Sequence, residues 1–276
     1  MVNLHFLNVG KGNCTIVEFP SGRLTIVDID NSRIDDEEEV LTDPISYFLS
    51  NIKDQSLFRF ILTHPDMDHL SGLNEFAKKV SIGNFWDTKH TKSFADDDWE
   101  GSPYNKKDWD RYLLLRKSEK DPKAIQLYRD NTADCCWTQD GITILSPSST
   151  LVELSNESEE YNHLSYVLRV EYAGIKVILG GDASIEAWDE IYKHYKNEFL
   201  KADILLAPHH GSANNIHEEA FNAILPDYVI VSVAEGVDYD YQYYKRLAKK
   251  NPIHKALRNN AYRNKRRWQL PAYNSG

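Results

Sequence analysis

Short runs of branched and aromatic residues, separated by turn-forming residues, predict β-strands in the first third of the chain. Gly10-Lys11-Gly12-Asn13 and Pro20-Ser21-Gly22 divide three such runs, and the second break has the composition of a hairpin turn. A fourth apolar run precedes a cluster of histidines and aspartates and is typical of a buried strand. The predicted strands cover residues 2–9, 14–19, 24–29 and 58–63.

Strands and helices alternate again in the second half. A hairpin is predicted around Ala173-Gly174, and residues 146–149 are predicted as a loop. One helix is predicted to open at Asp68 and His69 and to continue through Val80. The other predicted helices cover residues 43–53, 184–195 and 216–224, and the other strands 141–145, 164–172, 175–179, 204–207 and 228–233. This order favours an α/β fold in which helices cover a pair of packed sheets.

Two regions depart from that pattern. Residues 87–140 are polar, include a predicted long helix from Lys106 to Asp130, and are interpreted as an insertion. The tail from Asn251 is polar and basic and is predicted to be a peripheral helix or partly disordered. We therefore predict one domain over residues 1–250, followed by a basic tail over residues 251–276.

Composition narrows the classes of function. The chain has 276 residues and a formal net charge of −10, which argues against a protein that generally coats nucleic acid but allows a local basic groove. Its three cysteines include no CxxC pair, so a cysteine zinc site is not expected and a reducing cytoplasm is the default location. We identify no signal peptide and no apolar segment of membrane-spanning length, so no membrane partner is expected.

The segment His64-Pro65-Asp66-Met67-Asp68-His69 carries the strongest chemical signal. Two imidazoles and two carboxylates lie within six residues, where a buried strand runs out into a loop. Such a loop can close around a divalent cation without help from distant sequence. The alternative is a helix capped by Asp68, with two incidental surface histidines. Capping explains only one of the four residues, so the metal interpretation is favoured.

Two further strand ends repeat this arrangement. Gly180-Gly181-Asp182 ends one predicted strand, and Pro208-His209-His210-Gly211-Ser212 ends another. Each is weak alone, because a strand-end aspartate is usually a turn residue and paired histidines usually lie on the surface. Three ligand-bearing strand ends in one chain are difficult to explain by turns.

These motifs, in this order, resemble those of metallo-β-lactamase-fold hydrolases. They are most similar to the soluble hydrolase domain at the C-terminus of DNA-uptake competence channel proteins. The resemblance covers about residues 2–85 and 141–233 and implies a four-layer αββα sandwich with metals at one edge. The segments that support it are residues 8–13, 25–28, 162–168 and 202–206.

The resemblance also implies two divalent metal ions, Mn²⁺ or Zn²⁺, with a hydroxide between them as the nucleophile. One ion would be held by His64 and Asp66 together with His209, or with Asn162 or His163. The other would be held by Asp68, His69 and a bridging Asp182. Asp68 would orient the hydroxide and carry its proton, and His210 would contact a substrate phosphate or leaving oxygen. The sequence does not decide between His209 and His210 as ligand; His209 is preferred because it directly follows the strand.

Several positions depart from the family pattern. Asp66 stands where most members have histidine, and Asn162, or the shifted His163, where another histidine is usual. His163 is equally explained as a strand-edge surface residue. Lys11 and Asn13 also alter the N-terminal turn. Tyrosines in the segment 239–244 occupy the place of a histidine-containing motif, although helix packing is the favoured explanation for them. An oxygen-rich ligand set suits manganese better than zinc.

Three functions compete. The first is a metal-dependent phosphodiesterase or nuclease acting on nucleic acid or nucleotides, with basic residues in the tail and in segment 106–123 available to a nucleic-acid backbone. The second is a hydrolase of another substrate, such as a lactone, a thioester or a cyclic nucleotide, since fold does not fix substrate. The third is a non-catalytic, metal-stabilised subunit that binds a protein partner through the insertion.

Overall fold

The structure is a computed structural model of the chain. It describes residues 2–33, 41–52, 56–131, 137–195, 197–233, 239–250, 253–254 and 268–269. The chain divides into two compact units: a first unit of Met1–Leu127 with Ala256–Gln269, and a second unit of Tyr128–Lys255 with Leu270–Gly276. The predicted boundary at residue 250 stays a prediction. The predicted character of the basic tail falls almost wholly outside the described residues.

A seven-stranded sheet forms the frame of the first unit. Its spatial order is β13-β1-β2-β3-β4-β5-β6, antiparallel from β13 to β3 and parallel from β3 to β6. Val27 pairs with Ile61, and Ile61 pairs with Trp86, so β3, β4 and β5 end side by side. The strands are β1 Asn3–Phe6, β2 Thr15–Glu18, β3 Leu24–Val27, β4 Leu57–Ile61, β5 Ile82–Asp87, β6 Lys123–Gln126 and β13 Trp268–Gln269.

Three helices, α1 Pro44–Asn51, α2 Leu73–Lys79 and α3 Lys106–Leu115, share one hydrophobic core with this sheet. Asp43 caps α1 by accepting hydrogen bonds from the backbone of residues 45 and 46. Phe48 of α1 meets Phe76 of α2 edge-to-face at 5.3 Å between ring centroids. Such apolar burial is the main stabilising term for helices this short.

Two predicted helices of the first unit have different bounds in the structure. The helix expected from Asp68 begins only at Leu73, because Gly72 takes a left-handed conformation at φ 93° and precedes it as the N-cap. Residues 67–69 form a separate single 3₁₀ turn. The helix expected over residues 106–130 ends at Leu115, since the next six residues offer nothing apolar to bury and Pro122 disfavours helix at the residue before it.

The second unit is built on a six-stranded sheet. Its order is β12-β11-β10-β9-β8-β7, parallel from β12 to β9 and antiparallel from β9 to β7. Leu206 of β10 pairs with Leu179 of β9 and with Ile230 of β11. The carboxyl ends of these three strands therefore share one edge. The strands are β7 Ile142–Ser146, β8 Val167–Tyr172, β9 Ile175–Leu179, β10 Ile204–Leu206, β11 Tyr228–Val231 and β12 Ile253–His254.

Five helices accompany this sheet: α4 Ser149–Ser158, α5 Ile185–His194, α6 Asn197–Leu200, α7 Glu218–Ile224 and α8 Tyr241–Leu247. Trp188 of α5 and Phe221 of α7 meet edge-to-face at 5.0 Å in its hydrophobic core. Helix α4 was not predicted. Its cap is Ser148, whose Oγ accepts a hydrogen bond from the backbone N–H of Leu151.

The described residues thus form two sheets and eight α-helices, and the predicted α/β class with two sheets is confirmed. Among them, no helix combines the length and the apolar character needed to cross a membrane.

Candidate functional site

The first unit carries its candidate ligands on the loop that follows β4. The chain leaves the strand at Ile61 and reaches the 3₁₀ turn Met67–His69 after five intervening residues. His64 and His69 are buried, at 1% and 0% exposure. Asp68 is also buried, whereas the Asp66 side chain is 36% exposed. Since α2 begins only after Gly72, helix capping does not explain Asp68.

Asp28 lies directly after β3 and organises this loop through its buried carboxylate. Its Oδ1 accepts the backbone N–H of Thr63 at 2.7 Å, and its Oδ2 accepts the Thr63 hydroxyl at 2.8 Å. The same Oδ2 lies 2.8 Å from Nδ1 of His69. A carboxylate only accepts, so His69 must carry its hydrogen on Nδ1.

Thr63 in turn orients the second imidazole, that of His64. Its hydroxyl hydrogen is given to Asp28, so the oxygen accepts at 3.1 Å from Nδ1 of His64. Both rings then carry hydrogen on Nδ1, and their centroids are 4.2 Å apart. Nε2 of each ring is left as the atom that binds a divalent metal once it carries no hydrogen, and a carboxylate behind the imidazole raises its basicity. These residues fit a metal ion.

The two carboxylates of the loop each face a lysine. Nζ of Lys11 is 3.4 Å from Oδ2 of Asp68, and Nζ of Lys92 is 2.5 Å from Oδ1 of Asp66. Burial acts to raise the pKa of Asp66, but the nearby His64 and Lys92 charges outweigh it and leave that pKa below its usual value. Both carboxylates are thus set in positive surroundings.

Asp30 is a further buried carboxylate that the sequence did not single out. Its Oδ1 accepts the backbone N–H of Ser32 at 2.9 Å, and burial raises its pKa to about 6. Gly12 allows this close packing, because a Cβ there would lie 2.2 Å from Oδ2 of Asp30 and 2.3 Å from the Asp68 carbonyl oxygen. Steric crowding therefore explains why position 12 of the N-terminal turn is a glycine.

In the second unit, Asp182 follows β9 and is buried at 3% exposure. Its backbone N–H donates to Oγ of Ser165 at 3.0 Å. Gly180 allows the chain after β9 to lie close to the end of β10, since a Cβ there would lie 2.7 Å from the Leu206 carbonyl oxygen. Oδ2 of Asp182 lies 3.0 Å from Nε2 of His210. This is the pair of candidate ligands that the second unit brings together.

His209 and His210 both have left-handed backbones, at φ 46° and 56°, and their side chains have different neighbours. His210 is buried beside Asp182. His209 is half-buried, donates its backbone N–H to the Gly181 carbonyl at 3.0 Å, and has Nδ1 3.4 Å from the Asn162 amide nitrogen. The structure therefore places the non-preferred histidine beside the carboxylate, and the ligand role of either one stays a prediction.

His163 has a different set of neighbours. Its Nδ1 lies 2.7 Å from Oγ of Ser184, the N-cap residue of α5, and 3.4 Å from a carboxylate oxygen of Glu186. These contacts explain the position of His163 by its packing at the N-terminus of α5. The neighbour of His209 is Asn162.

The tyrosine-rich segment packs mainly as a helix. Tyr244 is fully buried in the core of the second unit, and Tyr243 packs against that core. Tyr239 instead borders the histidine loop, since a Cβ on Gly211 would lie 3.4 Å from Cβ of Tyr239. The helix-packing interpretation thus applies to Tyr243 and Tyr244.

Comparisons with known proteins were made for the whole chain. No family model matches it. The chain is 29% identical over 200 residues to ComE operon protein 3 of Bacillus subtilis (strain 168). That alignment covers 70% of this chain and 22% of the relative, so the chain spans about a fifth of the length of the relative that it matches.

Two solved structures share the fold. The metallo-β-lactamase fold protein YhfI from Bacillus subtilis has a TM-score of 0.51 and 12% identity, covering 91% of this chain and 96% of YhfI. A mutant of the CmlA β-hydroxylase, an enzyme of Streptomyces venezuelae, has a TM-score of 0.51 and 11% identity, covering 91% of this chain and 52% of CmlA. The chain therefore has the metallo-β-lactamase fold, and its sequence is similar to a segment of ComE operon protein 3.

Proposed function

We propose that the chain is a metal-dependent hydrolase that cleaves phosphodiesters in nucleic acid or nucleotides. The observation that carries the proposal is the Asp28–Thr63 arrangement, which orients the imidazoles of His64 and His69 through Nδ1 and so supports a role for both as metal ligands. An imidazole that donates its Nδ1 hydrogen to a carboxylate or another fixed oxygen is the arrangement usual behind a metal-ligating histidine.

The proposed ligands are His64, Asp66, Asp68, His69 and Asp182, with His209 as the preferred further ligand and His163 as the weaker alternative. Two divalent ions, Mn²⁺ or Zn²⁺, are proposed, which would supply a nucleophile at neutral pH and neutralise charge that develops on the phosphate. The carboxylate oxygens among these ligands favour manganese for activity, although zinc binds more tightly to most sites.

Two side chains have proposed chemical roles. Asp68 orients the attacking water and accepts its proton on a carboxylate oxygen. His210, buried beside Asp182, holds a phosphate oxygen or the leaving oxygen through a ring nitrogen. The fold itself also hosts a β-hydroxylase, so the activity of this chain must be measured.

Metal content and turnover test the proposal together. We expect elemental analysis to find metal in the wild type and in His194→Ala, an exposed control histidine, but reduced content in His64→Ala and in Asp182→Ala. Unchanged content in both site variants would refute the ligand set. The metal-loaded wild type should hydrolyse bis-(p-nitrophenyl) phosphate, faster with Mn²⁺ than with Zn²⁺.

A panel of DNA, RNA and lactones separates the substrate classes. Turnover of lactones alone would indicate a hydrolase of another substrate. Full metal content without any turnover would indicate the metal-stabilised subunit, and the search for a partner would then begin at the insertion. The cytoplasmic location stays a prediction.

A further inference from the structure

Lys92 occupies a constrained position at the edge of the first unit's ligand loop. Its Nζ lies 2.5 Å from Oδ1 of Asp66 and 5.4 Å from the centre of the Phe94 ring. The side chain is only 17% exposed, which is low for a lysine. The ammonium group therefore has a defined location beside a candidate metal ligand.

A chain of buried hydrogen bonds fixes the backbone of Lys92. Its N–H donates to Nδ1 of His90 at 3.0 Å, so His90 carries its hydrogen on Nε2 and donates it to the hydroxyl of Tyr112. Tyr112 in turn donates to Oδ1 of Asp87 at 2.7 Å, and the imidazole of His90 stacks on the Tyr112 ring. Each hydrogen bond in this chain of contacts therefore has one donor and one acceptor.

Arg116, the C-cap residue of α3, adds further contacts to this segment. Its Nε lies 2.9 Å from Oδ2 of Asp87, and its Nη2 donates to the carbonyl oxygens of Thr88 and His90 at 3.3 and 3.4 Å. Burying a charged pair with a histidine and a tyrosine stabilises a protein less than apolar packing does. Instead, the arrangement holds the backbone of residues 87–92 in a fixed conformation up to Lys92.

We propose that Lys92 is a substrate-binding residue that takes a non-bridging oxygen of the substrate phosphate. This inference rests on the proposed function. If Asp66 held a metal ion, its carboxylate would bind the Lys92 ammonium less strongly, while the fixed backbone of Lys92 would keep the ammonium at the site. An ammonium offers three donors to phosphate oxygens without demanding a planar geometry. A lysine that merely balanced the charge of Asp66 would not need a fixed backbone.

The test uses three variants of the metal-loaded protein. Lys92→Met keeps the aliphatic stem on Phe94 and removes the charge, Lys92→Arg keeps the charge, and Lys89→Met removes an exposed lysine from the same loop. Inorganic phosphate binding is measured by calorimetry, with the metal content of each sample determined. We expect Lys92→Met to bind phosphate roughly ten- to a hundred-fold more weakly, Lys92→Arg to recover part of the loss, and Lys89→Met to match the wild type.

Steady-state kinetics supply the second measurement. Lys92→Met should lower kcat/KM for bis-(p-nitrophenyl) phosphate, mainly through KM. Equal phosphate affinity in Lys92→Met and wild type, or a loss of metal in Lys92→Met, would overturn the inference. Lysine-dependent phosphate binding without any phosphodiester hydrolysis would instead refute the proposed function and leave the binding role standing.

Discussion

The two units present their candidate ligands by different physical means. In the first unit, side-chain hydrogen bonds from Asp28 and Thr63 orient two imidazoles on a loop. In the second unit, the backbone itself sets the direction of the ligands. His209, His210 and Gly211 are consecutive and all left-handed, at φ 46°, 56° and 81°.

The two arrangements differ in what they cost in folding free energy. A left-handed conformation costs a non-glycine residue on the order of 1–3 kcal/mol, so the surroundings must hold it. Here the His209 carbonyl accepts the Ser212 N–H at 2.9 Å, and the Gly211 carbonyl accepts the Asp240 N–H at 3.2 Å. The first unit instead depends on a buried carboxylate that is fully hydrogen-bonded. Substitutions that disturb the Asp28 hydrogen bonds should thus affect metal binding most, and those that disturb the left-handed backbone of the second unit should affect stability most.

The largest expected effect concerns Asp68, which belongs to the first unit but has a chemical role in our proposal. Asp68→Ala should lower kcat roughly a hundred- to a thousand-fold while changing the melting temperature little. The exposed Asp110→Ala on α3 serves as the control. Rates and melting curves measured on one preparation check this. Retained activity would place Asp68 among the supporting residues.

The next largest effect is expected for Asp28→Asn. Asparagine presents an NH₂ group where Asp28 accepts from the Thr63 hydroxyl and His69 Nδ1, so the His69 hydrogen is driven to Nε2. Metal affinity, measured by chelator competition, should fall about ten- to a hundred-fold. Asp108 is the matched control, a buried aspartate that accepts the Asn74 backbone N–H at 2.8 Å. If Asp108→Asn weakened metal binding equally, the loss would reflect general destabilisation.

Much of the fold could be predicted because apolar runs of strand length alternate with turn residues. The failures have tertiary causes. The helix after the ligand loop starts late because Gly72 is left-handed, and it packs so closely on Asn31, a residue distant in sequence, that a Cβ there would lie 2.7 Å from Cγ of Asn31. Helix α4 was missed because its cap, Ser148, lies in a segment whose serines and proline indicate a loop.

The candidate site divides in the same way. His64, Asp66, Asp68 and His69 were identifiable because they are contiguous. The role of Asp28 depends on the register between β3 and β4, although an aspartate at the end of a strand was a visible signal. The orientation of His210 depends on backbone angles, and the position of Lys92 depends on buried partners as distant as Arg116. Neither follows from residue type and spacing.

A glycine pair tests the backbone-based arrangement of the second unit. Gly211 and Gly174 have nearly the same φ, 81° and 80°, but a Cβ on Gly211 would lie 2.7 Å from Cγ1 of Val231, whereas Gly174 has open space. Gly174→Ala should cost about 1 kcal/mol of unfolding free energy from strain, and Gly211→Ala roughly 1–3 kcal/mol more. Denaturant unfolding gives both values. Equal losses would mean that the histidine loop adapts freely.

The smallest effect is expected from pH and distinguishes the first unit through His90. Burial, followed by the Arg116 and Lys92 charges, lowers the pKa of His90 to about 2. Below the usual histidine pKa of about 6.5, the unfolded chain binds a proton that the folded chain refuses. His90 therefore contributes stability that is present above about pH 6.5 and is lost as the pH falls, by at most about 1.4 kcal/mol per unit.

Asp87 acts in the opposite sense, because burial raises its pKa to about 6 and the folded chain holds a proton that the unfolded chain releases from about pH 4 upward. Wild-type stability alone therefore mixes two slopes of opposite sign, and His90→Gln isolates one of them. The difference in unfolding free energy between wild type and His90→Gln should shift against the wild type by about 1–2 kcal/mol between pH 7 and pH 5. Urea titrations at three pH values measure this. Parallel stability profiles would show that His90 takes up a proton as readily in the folded chain as in the unfolded chain, which contradicts the neutral hydrogen-bond sequence that fixes Lys92.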